Sequence, residues 1–319
     1  MHLIYEDRHV EIYHQPGPGQ RAMVITFNNM QMIASGDTFW GKPVMEKLGL
    51  PAIGVMSRAR NWFPMESMKA AAPVARRLAR EYSNVIAYGA SMGGYGALKH
   101  GKRLGATHAV AFSPQHSIDP SQVHPWDKRY SRYYDSGLHG PAMQVKGPEI
   151  AARAHIFFDP FLPSDHRHVR NLVAEKADVA LHKLFCAGHE AVSLFAGTKT
   201  IDTLIDGVTG GDLNAIHAQI STLRRTHRNR RFHLLKTLLF RKRASDLHAV
   251  LLENANSLDP ALLAELMAIS ARYAMYRKDI GAAHKSILAA VEINPQHKTY
   301  RNLHKEIESR RLAQSALID

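Results

Sequence analysis

The chain has 319 residues and a mass of 35.6 kDa, enough to bury one large core or two ordinary ones, and its single Cys186 excludes an internal disulfide and a cysteine-only zinc cluster. Formal net charge is +13 with a pI near 9.8, which favours an anionic partner, yet much of that charge is concentrated between Ser221 and Ser245. The mixed opening MHLIYEDRHVEIYHQ does not read as a secretory signal and no apolar run approaches membrane-spanning length, so a soluble, cytoplasmic protein is expected.

In chain order, HLIYEDRHVEIYHQ reads as two short antiparallel strands and Pro16 to Gly19 as a turn. Ala22 to Phe27 reads as a strand, Phe39 to Gly49 as a helix and Pro51 to Ser57 as a further strand. Met65 to Tyr82 has the pattern of an amphipathic helix, with Pro73 predicting a late start or a kink. Asn84 to Gly89 is a buried strand, GYGALKHGKR the helix after it, and Thr107 to Ser113 the next strand.

From Pro114 to Gly147 the periodicity stops. This stretch is rich in Pro, Gly, His, Trp and Tyr, and is too long for an ordinary connection, so a lid or binding loop is expected. Ala154 to Asp159 and Ala180 to Cys186 complete the strand series, with a loop and a short helical stretch between them. Cys186 is thereby expected as a small apolar residue in a buried strand. Beyond about residue 200 only helical patterns occur, and a domain boundary is expected near residue 205. Strands alternating with helices predict an α/β domain built on a mostly parallel sheet, followed by an all-helical region over 206–319.

The stretch VIAYGASMGGYGALKH holds four glycines within Gly89 to Gly96, around a single Ser91. Glycine weakens both strand and helix, so its concentration here predicts a sharply bent backbone. Gly89 to Gly93 is a G-x-S-x-G pentapeptide between a predicted strand and a predicted helix, the context in which a serine is raised from the sheet edge as a nucleophile. A serine hydroxyl needs a base to take its proton and a third group to orient that base.

GASMGGYGA, with the strand order around it, resembles the α/β-hydrolase superfamily over roughly residues 1 to 200. The resemblance implies a chain order of nucleophile, acid and histidine, the acid after a later strand and the histidine after the last. AHIFFDPFLPSDHRHV supplies Asp165 in the loop, in a phrase approximating Asp-x-x-Val, and Asp159 at the strand end; Asp119 on the insertion is the third candidate. Asp165 is preferred, and Asp159 has a competing reading as a cap for the loop that follows it. His189, one of 20 histidines, is selected by position: it follows Gly188 after the final strand, with AVSLFAGTKTIDTLI expected to continue as a helix.

The same resemblance implies two oxyanion donors. The Met92 amide is the first. The second belongs to the turn after Ala22 to Phe27, where Asn28 and Asn29 replace the superfamily's His-Gly phrase; these asparagines read equally well as turn residues. Arg58, Arg60, Asn61 and Trp62, with Gln115, His116, Trp126, Tyr130, Tyr133 and Tyr134 from the insertion, form a polar and aromatic set at the expected active edge. They suit a small polar or glycan-linked ester better than a triglyceride, and they also suit the packed underside of a lid.

RRTHRNRRFHLLKTLLFRKR carries nine Lys/Arg around an apolar centre, compatible with an anionic surface or acidic partner, although a solvated linker helix whose leucines pack on the neighbouring domain is the preferred reading. No motif for sequence-specific nucleic-acid readout accompanies it. The segment 262–300 resembles one tetratricopeptide unit through Ala283, Ile287, Ala290 and Pro295, implying either a short array for protein contacts or a helical cap. Taken together, the chain is expected to be an α/β-hydrolase-type serine esterase with Ser91, His189 and Asp165 as its triad and with no metal or organic cofactor. The alternatives are an acyltransferase using the same serine and a non-catalytic interaction protein.

Overall fold

A computed structural model describes residues 1–226 and 258–315, together with Thr237, Glu253 and Asn256. The chain divides into two compact units, Met1–Arg224 and Arg225–Asp319. Most of the basic stretch Ser221 to Ser245 lies outside the described residues.

The first unit is an α/β-hydrolase-type sheet of eight strands: β1 (His2–Glu6), β2 (Val10–Gln15), β3 (Met23–Phe27), β4 (Ala52–Ser57), β5 (Val85–Ala90), β6 (His108–Phe112), β7 (Arg153–Phe158) and β8 (Ala180–Lys183). Their spatial order is β1-β2-β4-β3-β5-β6-β7-β8. Only β1 and β2 enter antiparallel; from β4 through β8 every neighbouring pair is parallel. Central strands such as β4 and β5 are buried at every position, as expected of a sheet covered on both faces.

Helices α1 (Lys42–Leu48), α2 (Met65–Ala79) and α3 (Met92–His100) follow β3, β4 and β5. The insertion after β6 carries two single-turn helices, α4 (Pro120–Val123) and α5 (Ser136–His139), and α6 (Pro163–Glu175) follows β7. One core joins Ala71 and Ala75 of α2, Leu98 of α3 and Leu172 of α6 to one face of the sheet. The opposite face buries Met45 of α1 with residues of α7 (Thr198–Gly210) and α8 (Leu213–Thr226).

Four expectations change. The boundary lies at Arg224/Arg225 rather than near residue 205, because Ile201, Leu204, Ile205 and Val208 of α7 share a core with Val24, Ile86 and Val110 of the sheet. Helix α2 runs unbroken through Pro73, which is exposed; the Lys69 carbonyl that loses its partner is also on the wet side. The final strand stops at Lys183, and Cys186 sits beyond it in a left-handed turn with φ 67°. The segment after His189 forms a short 3-10 helix, Ala191–Phe195, before Gly197 interrupts it and α7 begins.

In the second unit, helices Pro260–Tyr276, Ile280–Ile293 and Lys298–Ser315 share a core of Leu266, Ala271, Ala283, Ile287, Ala290 and Ile307. Pro295 directly follows the C-cap Asn294 of the second helix, which therefore cannot continue. Among the described residues, no helix is long and apolar enough to cross a membrane.

Candidate active site

The sheet order decides where the site forms. From β3 the chain proceeds to β4 on one side and later returns to β5 on the other, so the carboxyl ends of β3 and β5 lie side by side with Phe27 paired to Gly89. That is the switch point at which open α/β sheets make a crevice. The loop after β3 and the turn holding Ser91 meet there.

Ser91 has φ 53° and ψ −118°, a conformation that non-glycine residues avoid. Its neighbours make the bend sterically feasible. A Cβ on Gly89 would lie 2.2 Å from the Gly93 carbonyl oxygen, and one on Gly93 2.3 Å from that of Phe27. Ser91 N–H is committed to the Phe112 carbonyl at 2.8 Å. Ser91 remains partly exposed.

His189 comes from β8, three strands from β5, roughly 14 Å away at the usual interstrand spacing. The loop must therefore double back across the sheet edge. Gly188, with φ 70°, makes the turn, and its N–H donates to Asp159 Oδ2 at 2.8 Å. Asp159 Oδ1 accepts from Phe161 N–H at 2.9 Å, so this buried carboxylate ties the β7 loop to the histidine loop. Burial raises its pKa, and amides of Gly188, Phe161 and Cys186 oppose that rise.

The imidazole of His189 lies 2.9 Å by Nε2 from Ser91 Oγ and 2.7 Å by Nδ1 from Asp165 Oδ2. Asp165, at the start of α6, is 1 % exposed. Burial pushes its pKa up, but the hydrogen bond and charge of His189, then those of Arg129, outweigh burial and leave it below the ordinary carboxylate value. Asp119 instead caps α4, accepting from Ser121 N–H at 2.9 Å.

The insertion adds residues that sequence reading did not assign. Arg129 donates to Asp165 Oδ1 at 2.8 Å and grips Asp127 through Nε and a terminal nitrogen at 2.9 and 2.8 Å. Asp127 in turn meets His168 Nε2 at 3.0 Å, and His168 Nδ1 accepts from His116 N–H at 3.1 Å. Tyr130, previously one aromatic residue among several, places its hydroxyl 3.0 Å from His189 Nε2. Tyr130 belonged to the aromatic set read from the sequence, but nothing in DKRY marks Arg129, since an Arg two positions from an Asp is common on any surface loop.

Of the proposed substrate-facing set, Gln115 reaches the serine: Nε2 donates to Ser91 Oγ at 3.3 Å while Oε1 accepts from Trp62 Nε1 at 3.1 Å. Trp62 and Asn61 are buried and face inward, which corrects their assignment as ligand contacts. Trp62 packs against Tyr130 and Tyr133, whereas Asn61 bonds the His9 carbonyl and Phe63 N–H. Trp126 packs on His168, with the Arg167 guanidinium over its ring, away from the serine contacts. Arg60 is exposed and joins the Met30 carbonyl to Tyr133 Oη at 3.1 and 3.2 Å.

The oxyanion candidates separate in the same way. Asn28 has no amide to offer: Nδ2 donates to Met32 O and Ser57 Oγ at 2.6 and 2.9 Å, and its N–H donates to Val55 O at 3.3 Å. It clamps the turn. Asn29 Oδ1 accepts from Gln31 N–H at 2.9 Å, and among the described residues no acceptor faces the Asn29 N–H. Met92 opens α3, where a first-turn N–H has no intrahelical partner. Of the candidates read from sequence, those two backbone amides are the donors left without a partner among the described residues.

No protein-family model matches the chain, and no curated protein matches its sequence. Solved structures do. The capsule O-acetyltransferase of Neisseria meningitidis serogroup A is similar at 11% identity over 63% of this chain and 93% of its own, with a TM-score of 0.46. A thermophilic esterase from the planctomycete Thermogutta terrifontis, bound to butyrate, is similar at 14% identity over 64% of this chain and 90% of its own, with a TM-score of 0.43.

Proposed function

We propose that this protein is a serine-dependent acyl-transfer enzyme that cleaves an ester or related acyl bond of a polar substrate. The reading is carried by one imidazole bonded on both sides, with Ser91 Oγ at 2.9 Å and Asp165 Oδ2 at 2.7 Å. With Nδ1–H donating to Asp165, the neutral ring presents a lone pair on Nε2 to the Ser91 O–H. Ser91 Oγ bonds to the acyl carbon as its proton passes to Nε2. The negative charge that develops on the carbonyl oxygen falls to the backbone amides of Met92 and Asn29 and to the N-terminal end of α3. The imidazolium, stabilised by Asp165, then returns the proton to the departing alcohol.

The polar character of the substrate is inferred from what lies at the serine and its histidine: the amide of Gln115 on Ser91 Oγ and the phenol of Tyr130 on His189. An aliphatic acyl glycerol would find little apolar lining among them. Transfer to an alcohol acceptor instead of water is a second reading, which the same serine and histidine geometry would serve.

A fluorophosphonate probe tests the reading. Wild-type protein labels at Ser91 and the Ser91→Ala variant does not; a folded wild type that resists labelling overturns it. Product analysis with and without an added sugar or alcohol separates hydrolysis from transfer.

A further inference from the structure

Two hydroxyls converge on one nitrogen. Ser91 Oγ lies 2.9 Å and Tyr130 Oη 3.0 Å from His189 Nε2. An imidazole nitrogen has one lone pair, or one proton, in the ring plane. In a serine acyl-transfer cycle the oxygen that shares Nε2 with the serine is the substrate's: the alcohol leaving during acylation, and the water or alcohol entering during deacylation. Tyr130 Oη stands at that side of the histidine.

The phenol is held there independently of any substrate. Its ring packs on Trp62 with centroids 5.3 Å apart, and the Arg129 guanidinium lies 5.0 Å from the ring centroid. Arg129 is itself fixed by Asp127 and Asp165. Tyr130 is 7 % exposed, and burial, opposed by Arg129 and by the Ser91 hydrogen bond, pushes its pKa up to about 12. At neutral pH it is a phenol rather than a phenolate, so it serves as a donor and not as a rival base.

We infer that Tyr130 is a further catalytic residue of the proposed serine site, its phenol donating a hydrogen bond to the oxygen that leaves in acylation and enters in deacylation. The inference rests on the serine reading above. In acylation the Ser91 Oγ–carbon bond forms while Nε2 takes the Ser91 proton; the carbon–oxygen bond of the ester then breaks while Nε2 delivers that proton to the departing oxygen. Tyr130 keeps its own proton throughout and stabilises the negative charge that collects on the departing oxygen before the proton arrives. The help matters in proportion to the basicity of that oxygen. An alkoxide needs it, whereas p-nitrophenolate departs without it.

The test compares leaving groups in full-length wild type and Tyr130→Phe, which retains the ring and its packing. In the variant the ratio of kcat/KM on ethyl acetate, followed by acid release, to kcat/KM on p-nitrophenyl acetate falls about tenfold or more relative to wild type. Equal losses on both esters assign Tyr130 to packing alone and overturn the inference, as does an unchanged rate on both. A wild type that neither hydrolyses the p-nitrophenyl ester nor takes the fluorophosphonate overturns the serine reading instead, so the two failures are distinguishable.

Discussion

Arg129 of the insertion donates to Asp165 Oδ1 at 2.8 Å, so the loop after β6 and the carboxylate after β7 are joined by an ion pair. The pair leaves Asp165 Oδ2 to His189 alone. Removing Arg129 leaves a buried carboxylate with half its compensation. Arg129→Ala is expected to destabilise the protein by about 2 kcal/mol, less than for a fully buried pair because the guanidinium is one-third exposed. Since Arg129 helps hold the Asp165 pKa below its ordinary value, that carboxyl titrates at higher pH in the variant. Urea denaturation and an NMR titration of the Asp165 carboxyl check the two effects; an unshifted titration would show that the pair is structural only.

The two aspartates after β7 are expected to fail differently. Asp165→Asn keeps the shape but offers Nδ1–H of His189 a weaker acceptor and allows the wrong tautomer, so kcat falls by about 10⁴ with little change in melting temperature. Asp159→Asn replaces an acceptor of backbone amides from Gly188 and Phe161 by a group that presents one oxygen, and the histidine loop loosens. Its melting temperature falls, and hydrogen exchange at Gly188 rises. The reverse assignment, with Asp159 controlling kcat at unchanged stability, would refute the proposed division.

Ser91 is held at φ 53° and ψ −118°, a conformation costing on the order of 1–3 kcal/mol for a residue with a Cβ. Ser91→Gly relieves that strain and is expected to stabilise the fold by about 1 kcal/mol while abolishing turnover. Ser91→Ala abolishes turnover without the gain. Calorimetry on the two variants decides; equal melting temperatures would mean that the bend stores no strain.

Part of the loss of stability in acid should come from a histidine pair on β7 and β8. His155 Nδ1 and His182 Nε2 are 3.0 Å apart in the buried sheet, and burial, then the charges of neighbouring histidines, depress their pKa values to about 4 and about 3. Below pH 6.5 the unfolded chain takes up protons that the folded chain refuses, so stability falls as pH drops from about 6.5 toward 4 and levels off once the folded pair titrates. At pH 5 the loss is about 2 kcal/mol per histidine, an upper figure for a coupled pair. Thermal unfolding at pH 7.5 and 5.0 measures it, and His182→Phe should show a smaller acid loss than wild type. An equal loss in both would exclude the pair as the cause.

The elements nearest the site were legible before any coordinates because their signals are local. Glycines spaced around Ser91 announce a bend, the apolar runs flanking β5 and β6 announce buried parallel strands, and the order of Ser91, Asp165 and His189 along the chain is a property of sequence. Boundaries fared worse where a segment's partner decides its fate. Helix α7 looks from sequence like any other amphipathic helix, and only the apolar surface of the sheet, at Val24, Ile86 and Val110, assigns it to the first unit.

Side chains chosen by residue type divided once packing was known. Asn28, Asn61 and Trp62 had the polar or aromatic chemistry of a binding site, but each spends its hydrogen bonds holding a loop. Arg129 carried no marking and Tyr130 was one aromatic residue among several, yet the insertion brings them within reach of Asp165 and His189. Sequence by itself therefore determined the bend, the buried strands and the order of the reactive groups, because backbone sterics and hydrophobic periodicity act over a few residues. Which groups meet, and with what charge state, was decided by tertiary structure, since burial and hydrogen-bond partners are set by segments that fold together from distant parts of the chain.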